Sequence, residues 1–305
     1  MGRVGVDLYP LQSGVPLAEV RTFAKSLGGS PTNVAVGAAR YGLRAAVITK
    51  VGDDGFGAYV REALRTFRVD DRFVGTHASL RTPLVFCELY PPDRFPILFY
   101  REPTAPDMTI EPDDLDLEAI RDARVLWTTG TGLSAEPSRA ATMAALQHRE
   151  RRRVTVHDLD HRPQFWASPD EAGLRQRLAL ALATVAVGNL EEVSVALGEG
   201  SPETLAERML SLGLEMAVVK LGPDGVLVGW EGGMQRFPPV PVDVVCGLGA
   251  GDAFGAALCH GILQGWDVPQ TIGFANAAGA YVAARLACAD AMPTEDQVRE
   301  LMARA

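Results

Sequence analysis

Apolar runs of strand length alternate with helical patterns along nearly the whole of this 305-residue chain. Strand-like runs fall at 4–8, 45–50, 125–128, 154–157, 184–187, 217–221 and 226–230. Helical patterns fall at 31–41, 57–67, 138–150, 191–197, 202–212, 250–264, 269–287 and 294–303. Parallel strands need crossovers, and helices are the usual ones. The alternation therefore predicts an α/β fold with a mostly parallel central sheet and helices on both faces. Ligands of such sheets sit beyond the carboxyl ends of the strands.

Residues 83–101 break this rhythm. An apolar stretch from Pro83 to Tyr90, a Pro91-Pro92-Asp93 turn and a second stretch from Pro96 to Arg101 read as a β-hairpin with no helix. Residues 8–25 also lack a helical pattern. The chain thus reads as one domain over 1–305, with a small β appendage from about 8–25 and 83–101.

Net charge is −9, from 29 basic and 38 acidic residues. That balance argues against nucleic acid or an anionic membrane as partner, and an anionic ligand would need locally placed cations. No pair among the four cysteines has C-x-x-C spacing, and a chain this long needs no disulfides, so reduced thiols are expected. Arg3 and Asp7 interrupt any signal-peptide core, and the longest apolar run, 178–187, is about half a membrane span. A cytoplasmic location is expected.

Gly247-Leu248-Gly249-Ala250-Gly251-Asp252 runs straight into an apolar helical pattern. Glycines let successive N–H groups converge, and a helix start adds its positive dipole end, which makes an anion site. Taken alone, Asp252 is an ordinary capping residue. Beside a bound phosphate it is placed to take a proton from an attacking hydroxyl. Gly28-Gly29-Ser30-Pro31-Thr32-Asn33 is another loop entering a helix, with Pro31 near N1. Asn189 and Glu192 follow a strand and have the spacing of a capping box, and Lys220 precedes a Gly222-Pro223-Asp224-Gly225 turn.

In this order and spacing these segments resemble the ribokinase (PfkB-type) family of carbohydrate kinases, over essentially the whole chain. Gly2 to Pro10, Phe99-Tyr100-Arg101, Asp158-Leu159-Asp160-His161-Arg162-Pro163 and Ala287 to Pro293 are similar to the branch that phosphorylates 5-dehydro-2-deoxygluconate in inositol catabolism. The resemblance implies a ribokinase-like three-layer sandwich in which the β appendage is a lid that often pairs in a homodimer. It implies ATP-dependent transfer to the primary hydroxyl of a sugar acid, giving a 6-phosphate. Asp252 would be the base, and the amides of Gly249, Ala250 and Gly251 would stabilise the moving phosphoryl group. Asp7, Gly28, Gly29, Asn33, Arg101, Arg162 and Asp290 would bind the sugar acid, the two arginines holding its carboxylate. Asn189, Lys220, Gly222, Gly225 and Asn276 would bind nucleotide, and Glu192 would meet Mg²⁺ through water.

The chain departs from the family at one point. Cys246-Gly247 stands where the family has Asp-Thr, which puts in question the monovalent-cation (K⁺) site that related kinases build nearby. Fewer residues precede Asp7 than the family places there, so an edge of the sheet is expected to be short.

Other readings stay open at this point. Within the class these are 2-dehydro-3-deoxygluconate kinase and fructokinase. Gly130-Thr131-Gly132-Leu133-Ser134-Ala135 matches the weak dinucleotide fingerprint of nicotinamide dehydrogenases. A non-catalytic nucleotide- or sugar-binding regulator is a third class. His157-Asp158-Leu159-Asp160-His161 invites a metal, but no further His or Cys cluster completes a site. No Walker A sequence is present.

Overall fold

A computed structural model describes residues 1–304, which divide into two compact units. The first unit comprises Arg3–Asp107 and the chain from Val240 onward. Its N-terminal part contains strands β1 (Gly5–Pro10), β2 (Phe23–Gly28), β3 (Ala45–Ala46), β4 (Thr49–Gly52), β5 (Val69–Asp70), β6 (Val74–His77), β7 (Leu84–Cys87) and β8 (Ile97–Tyr100). Helices α1 (Ser30–Arg40) and α2 (Gly55–Thr66) lie among them.

A four-stranded sheet runs in the order β2-β1-β7-β8. The 83–101 segment forms a hairpin in it, with Leu84 opposite Tyr100 and Cys87 opposite Ile97. The 4–8 run, expected among the parallel strands of the central sheet, belongs here instead. It pairs antiparallel with β2 and parallel with β7. Apolar content marks a strand but not its sheet, and β2 offers a partner from Gly28 to Phe23. The 45–50 run is divided into β3 and β4, which pair with β5 and β6 in separate two-stranded sheets.

The second unit comprises Met1–Gly2 and Met108–Pro239. It holds β9 (Val125–Thr129), β10 (Val154–Asp158), β11 (Val185–Asn189), β12 (Met216–Lys220), β13 (Val226–Trp230) and β14 (Gly233–Phe237). Helices α3 (Leu117–Asp122), α4 (Ser138–Arg149), α5 (Pro169–Leu180), α6 (Leu190–Leu197) and α7 (Pro202–Ser211) connect or cover them. The sheet order is β14-β13-β12-β11-β10-β9, parallel from β9 to β12 and antiparallel at the β13–β14 edge. Val193, Ala196, Leu205, Ala206 and Met209 pack on Ala186, Ala217 and Val219 to form a dry core. The first unit resumes with α8 (Ala250–Gln264), α9 (Val268–Ala283) and α10 (Glu295–Met302).

Helix starts follow local chemistry. Asp54, Ser168, Asn189, Ser201, Asp267 and Thr294 each cap a helix by accepting a backbone N–H. Helix α5 went unread in the sequence because its pattern is mixed. Leu174 and Leu178 are exposed, while the buried face is Ala172, Gly173, Gln176 and Ala179. Among the described residues no helix is long and apolar enough to cross a membrane.

Arg149 is the largest fully buried side chain. Its Nη1 donates to the carbonyls of Ile120, Arg121 and Ala123 at the end of α3. Nη2 donates to Val154 O, and Nε to Thr155 Oγ1, at the start of β10. One guanidinium thus satisfies a helix end and a strand start together. Arg149→Met should leave these acceptors unpaired and cost about 3 kcal/mol or more, since each orphaned buried group costs roughly 1–3 kcal/mol. Urea denaturation measures this, and a loss below about 1 kcal/mol would show that the carbonyls find other donors.

Candidate active site

Helix α8 begins without a side-chain cap. Its N-cap is Gly249, in the left-handed region at φ 83°. A Cβ there would lie 2.6 Å from Cys288 Sγ, so only glycine allows this approach. Residues 247–252 are all partly exposed. A partly exposed helix start with a bare N-cap is suited to an anion. Asp252 lies in this first turn. Its Oδ2 accepts a 2.7 Å hydrogen bond from Asn33 Nδ2 on α1. Asn33 is 3% exposed, and its Oδ1 is buried with no hydrogen-bond partner.

Asp7 on β1 is the second carboxylate. Gly28 lies opposite Gly5 on β2, and a Cβ on it would fall 2.1 Å from Asp7 Oδ1, so Gly28 makes room for that carboxylate. Tyr9 Oη donates to Asp7 Oδ2 at 3.3 Å and bonds Cys288 Sγ at 2.7 Å. Loss of water raises the Asp7 carboxyl to about 7; the Asp252 charge adds a smaller push, while Tyr9 and Arg3 oppose it. Burial lifts the Cys288 thiol well above its ordinary value, and Cys246 to about 11, so both stay protonated packing groups rather than nucleophiles. Asp290 accepts from Ser26 Oγ, opposite Asp7 in the sheet. Gly29 caps α1 at φ 101°.

The first unit therefore brings together Asp7, Gly28, Gly29, Asn33, Gly249, Ala250, Gly251, Asp252 and Asp290. The sequence did not single out Tyr9 or Cys288 as site residues. Their role lies in a contact across 279 positions, which no local spacing signals.

Arg101, which the resemblance assigns to the substrate carboxylate, lies at the end of the hairpin. Its side chain is 8% exposed and ion-paired with fully buried Asp107, which also accepts from Val4 N at 2.9 Å. The pair fixes the end of the hairpin to the body of the first unit.

In the second unit, Asn189 and Glu192 form a reciprocal capping box at 2.8 Å each way. Glu192 Oε1 also accepts from His161 N at 3.1 Å and lies 3.6 Å from Arg162 Nη1. Arg162 Nη2 pairs with Asp160 Oδ1 at 2.9 Å. Arg162 and Glu192, assigned from the sequence to different ligands, are thus neighbours. Lys220 is opposite Asn189 in the β11–β12 register, and Gly222 and Gly225 flank the turn that follows. Asn276 lies on α9 of the first unit, whereas Asn189, Lys220, Gly222 and Gly225 lie in the second.

His157 bonds Thr128 Oγ1 and Gln176 Oε1, and burial lowers it to about 4, which makes it a neutral core histidine. The Gly130 fingerprint is filled from within. A Cβ on Gly130 would meet Gln176 Nε2 and Leu159 O at 2.1 Å, and one on Gly132 would meet Thr142 Oγ1 at 2.9 Å. These glycines allow packing, not the approach of a pyrophosphate.

The model of the pfkB family carbohydrate kinases matches residues 1–295. The chain belongs to this family. A 5-dehydro-2-deoxygluconokinase of Geobacillus thermodenitrificans (strain NG80-2) is 34% identical over 309 residues, covering 99% of this chain and 91% of that protein. One of Clostridium tetani (strain Massachusetts / E88) is 33% identical with the same coverage. Among solved structures, a fructokinase double mutant from Vibrio cholerae O395, bound to fructose, ADP and potassium ion, is 26% identical with a TM-score of 0.88. That likeness covers 99% of this chain and 96% of that one. This pfkB-family chain is a sugar kinase with a ribokinase-like α/β fold.

The raised Asp7 carboxyl gives a testable sign. Between its ordinary value of 3.8 and about 7 the folded protein binds the extra proton. The stability that Asp7 contributes is therefore present at low pH and is lost as pH rises through about 7. Asp7→Asn should raise Tm relative to wild type more at pH 8 than at pH 5. Thermal melts at both values test this, and a Tm difference independent of pH would refute it.

Proposed function

We propose that this chain transfers the γ-phosphoryl group of ATP to the primary hydroxyl of 5-dehydro-2-deoxy-D-gluconate, giving its 6-phosphate. The substrate rests on the relatives of about one-third identity over 99% of the chain. The chemistry rests on one arrangement, the bare start of α8 with Asp252 in its first turn and Asn33 bonded to it. In this reading Asp252 takes the hydroxyl proton as that oxygen bonds phosphorus and ADP departs. Amides of residues 249–252 receive the charge on the transferring group. Asp7, Asn33 and the backbone at Gly28 and Gly29 hold sugar hydroxyls. Tyr9 and Gly28 keep the Asp7 carboxylate in place.

Bound Mg²⁺ would neutralise phosphate charge. Among the described residues no group of three or more His, Cys, Asp or Glu is placed to hold a metal ion. Glu192 already accepts from two backbone amides, which fits contact through water. Asn189, Lys220, Gly222, Gly225 and Asn276 are proposed for the nucleotide. Any K⁺ contribution would rest on backbone carbonyls, since Cys246 and Gly247 bring neither carboxylate nor hydroxyl.

For the substrate carboxylate the choice falls on Arg162, which keeps 33% of its side chain exposed at the end of a strand loop. Arg101, shut against Asp107, is proposed to anchor the hairpin. That hairpin is proposed as the lid. Its sheet carries Phe23, Phe86 and Tyr100 in edge-to-face contact, with Tyr100 60% and Leu98 46% exposed. Such a face suits a second copy of this chain.

Three outcomes test these assignments. Asp252→Asn should lower kcat by about 10²–10⁴-fold, the scale of general-base loss, with KM for ATP nearly unchanged. Near wild-type kcat would reduce Asp252 to a helix cap and favour a non-catalytic or differently catalysed reading. Arg162→Ala should lower kcat/KM on the sugar acid by about 30- to 4,000-fold, the equivalent of roughly 2–5 kcal/mol. The loss on fructose should be much smaller, and equal proportional losses would remove Arg162 as the carboxylate reader. Sedimentation should show a dimer that Tyr100→Glu splits, whereas a wild-type monomer would remove the lid dimer.

A further inference from the structure

We propose that Asn33 is a positioning residue for Asp252: its amide fixes the orientation of that carboxylate and holds it in the ionised form that can accept a proton. The inference deepens the reading of Asp252 as base and rests on it.

Three observations carry it. The first is the direction of the bond. The NH₂ end of Asn33 faces Asp252 Oδ2 at 2.7 Å and donates to it. The second is its consequence. With Nδ2 committed, Asn33 Oδ1 is left buried and unpartnered in a residue 3% exposed. An asparagine serving only its own helix would bond nearby backbone or turn to water. This one, the fourth residue of α1, reaches a carboxylate 219 positions away. A buried acceptor without a donor is unfavourable, and the arrangement has a use if a ligand hydroxyl completes it.

The third is charge. Asp252 faces Asp7 from β1 and Cys288 from the segment after α9, each of which feels its field. Tyr9 bonds both of those groups, and Arg3 is the cation acting on Asp7. Two neighbouring carboxylates disfavour double ionisation, so one tends to keep a proton. The burial of Asp7 already inclines it to be that one. Donation from Asn33 favours the charged form of Asp252 and keeps the difference in the right direction. Without the amide, the proton would be shared more evenly, and part of the Asp252 population would be unable to act as base.

The test is the pH profile of kcat, with saturating ATP and 5-dehydro-2-deoxygluconate, for wild type, Asn33→Ala and Asp252→Asn. Asn33→Ala should lower kcat by up to about 10-fold near pH 7, the most that a rise of about one unit in the base can remove. It should also move the acid limb upward by about one pH unit, so that much of the loss is recovered by pH 9, and leave KM for ATP unchanged. Should the alanine variant melt below the assay temperature, Asn33→Ser should give the same upward displacement. A loss of equal factor at every pH, or no loss, would overturn the positioning role. If Asp252→Asn is inactive while the Asn33→Ala profile is unshifted, only this inference falls. If Asp252→Asn keeps near wild-type kcat, the base assignment falls and takes this inference with it.

Discussion

The first unit's site depends on how α8 starts. A helix normally hides its first N–H groups behind a capping side chain, as Asp54, Asn189 and Thr294 do elsewhere in this chain. At Gly249 the backbone turns left-handed against Cys288, and the N-cap makes no side-chain cap hydrogen bond. The helix keeps its positive end exposed, at a cost in local stability that the packing of α8 on α1 and α9 must offset. Cys288 bonds Tyr9, and Tyr9 bonds Asp7. One buried thiol thus packs against the turn proposed to bind an anion and, through Tyr9, is linked to the Asp7 carboxyl.

The two carboxylates lie in different environments. Asp7 is on a strand, with water withdrawn from it, and its carboxyl is raised to about 7. Asp252 is in the first turn of a helix, where the dipole favours negative charge, and it accepts from an amide. In the proposed mechanism, burial, dipole and a hydrogen bond separate chemically identical groups into a hydroxyl holder and a proton acceptor. Strand β1 pairs outside the parallel sheet, and that pairing bears on Asp7. In the four-stranded sheet, its antiparallel partner β2 supplies Gly28, the residue that makes room for Asp7.

Much of this was legible in the sequence where the signal is local. Strand β13 and helix α8 fall at their expected boundaries because apolar periodicity, glycine turns and caps agree there. The grouping of Asn33, Gly28 and Asp252 also follows from motifs, each of which marks a loop entering a helix. What the sequence hid is of two kinds. One is allegiance to a sheet: the 4–8 run is equally apolar in either. The other is the use of a charged side chain. Arg101 and Arg162 look alike in sequence, yet one is shut against Asp107 and the other faces Asp160 and Glu192 with its surface partly open. Burial and partners, which depend on distant packing, separate them.

That difference bears on how an acidic protein would meet the acidic substrate proposed for it. With a net charge of −9, an uncommitted cation is not what this fold presents at Arg162. The guanidinium is already oriented by Asp160 and by the carbonyl of His161, with Glu192 nearby. Its planar fork carries five N–H donors, so these partners can hold it in one plane while its exposed part turns an edge toward the proposed ligand. Pre-orientation lowers the entropy cost of ordering a long side chain on binding. It also lowers the net charge of the site, which weakens attraction to any anion at random and leaves geometry to select. A lysine at 162 would keep the charge and lose this, because an ammonium cannot be locked in a plane by neighbours and still present two parallel donors.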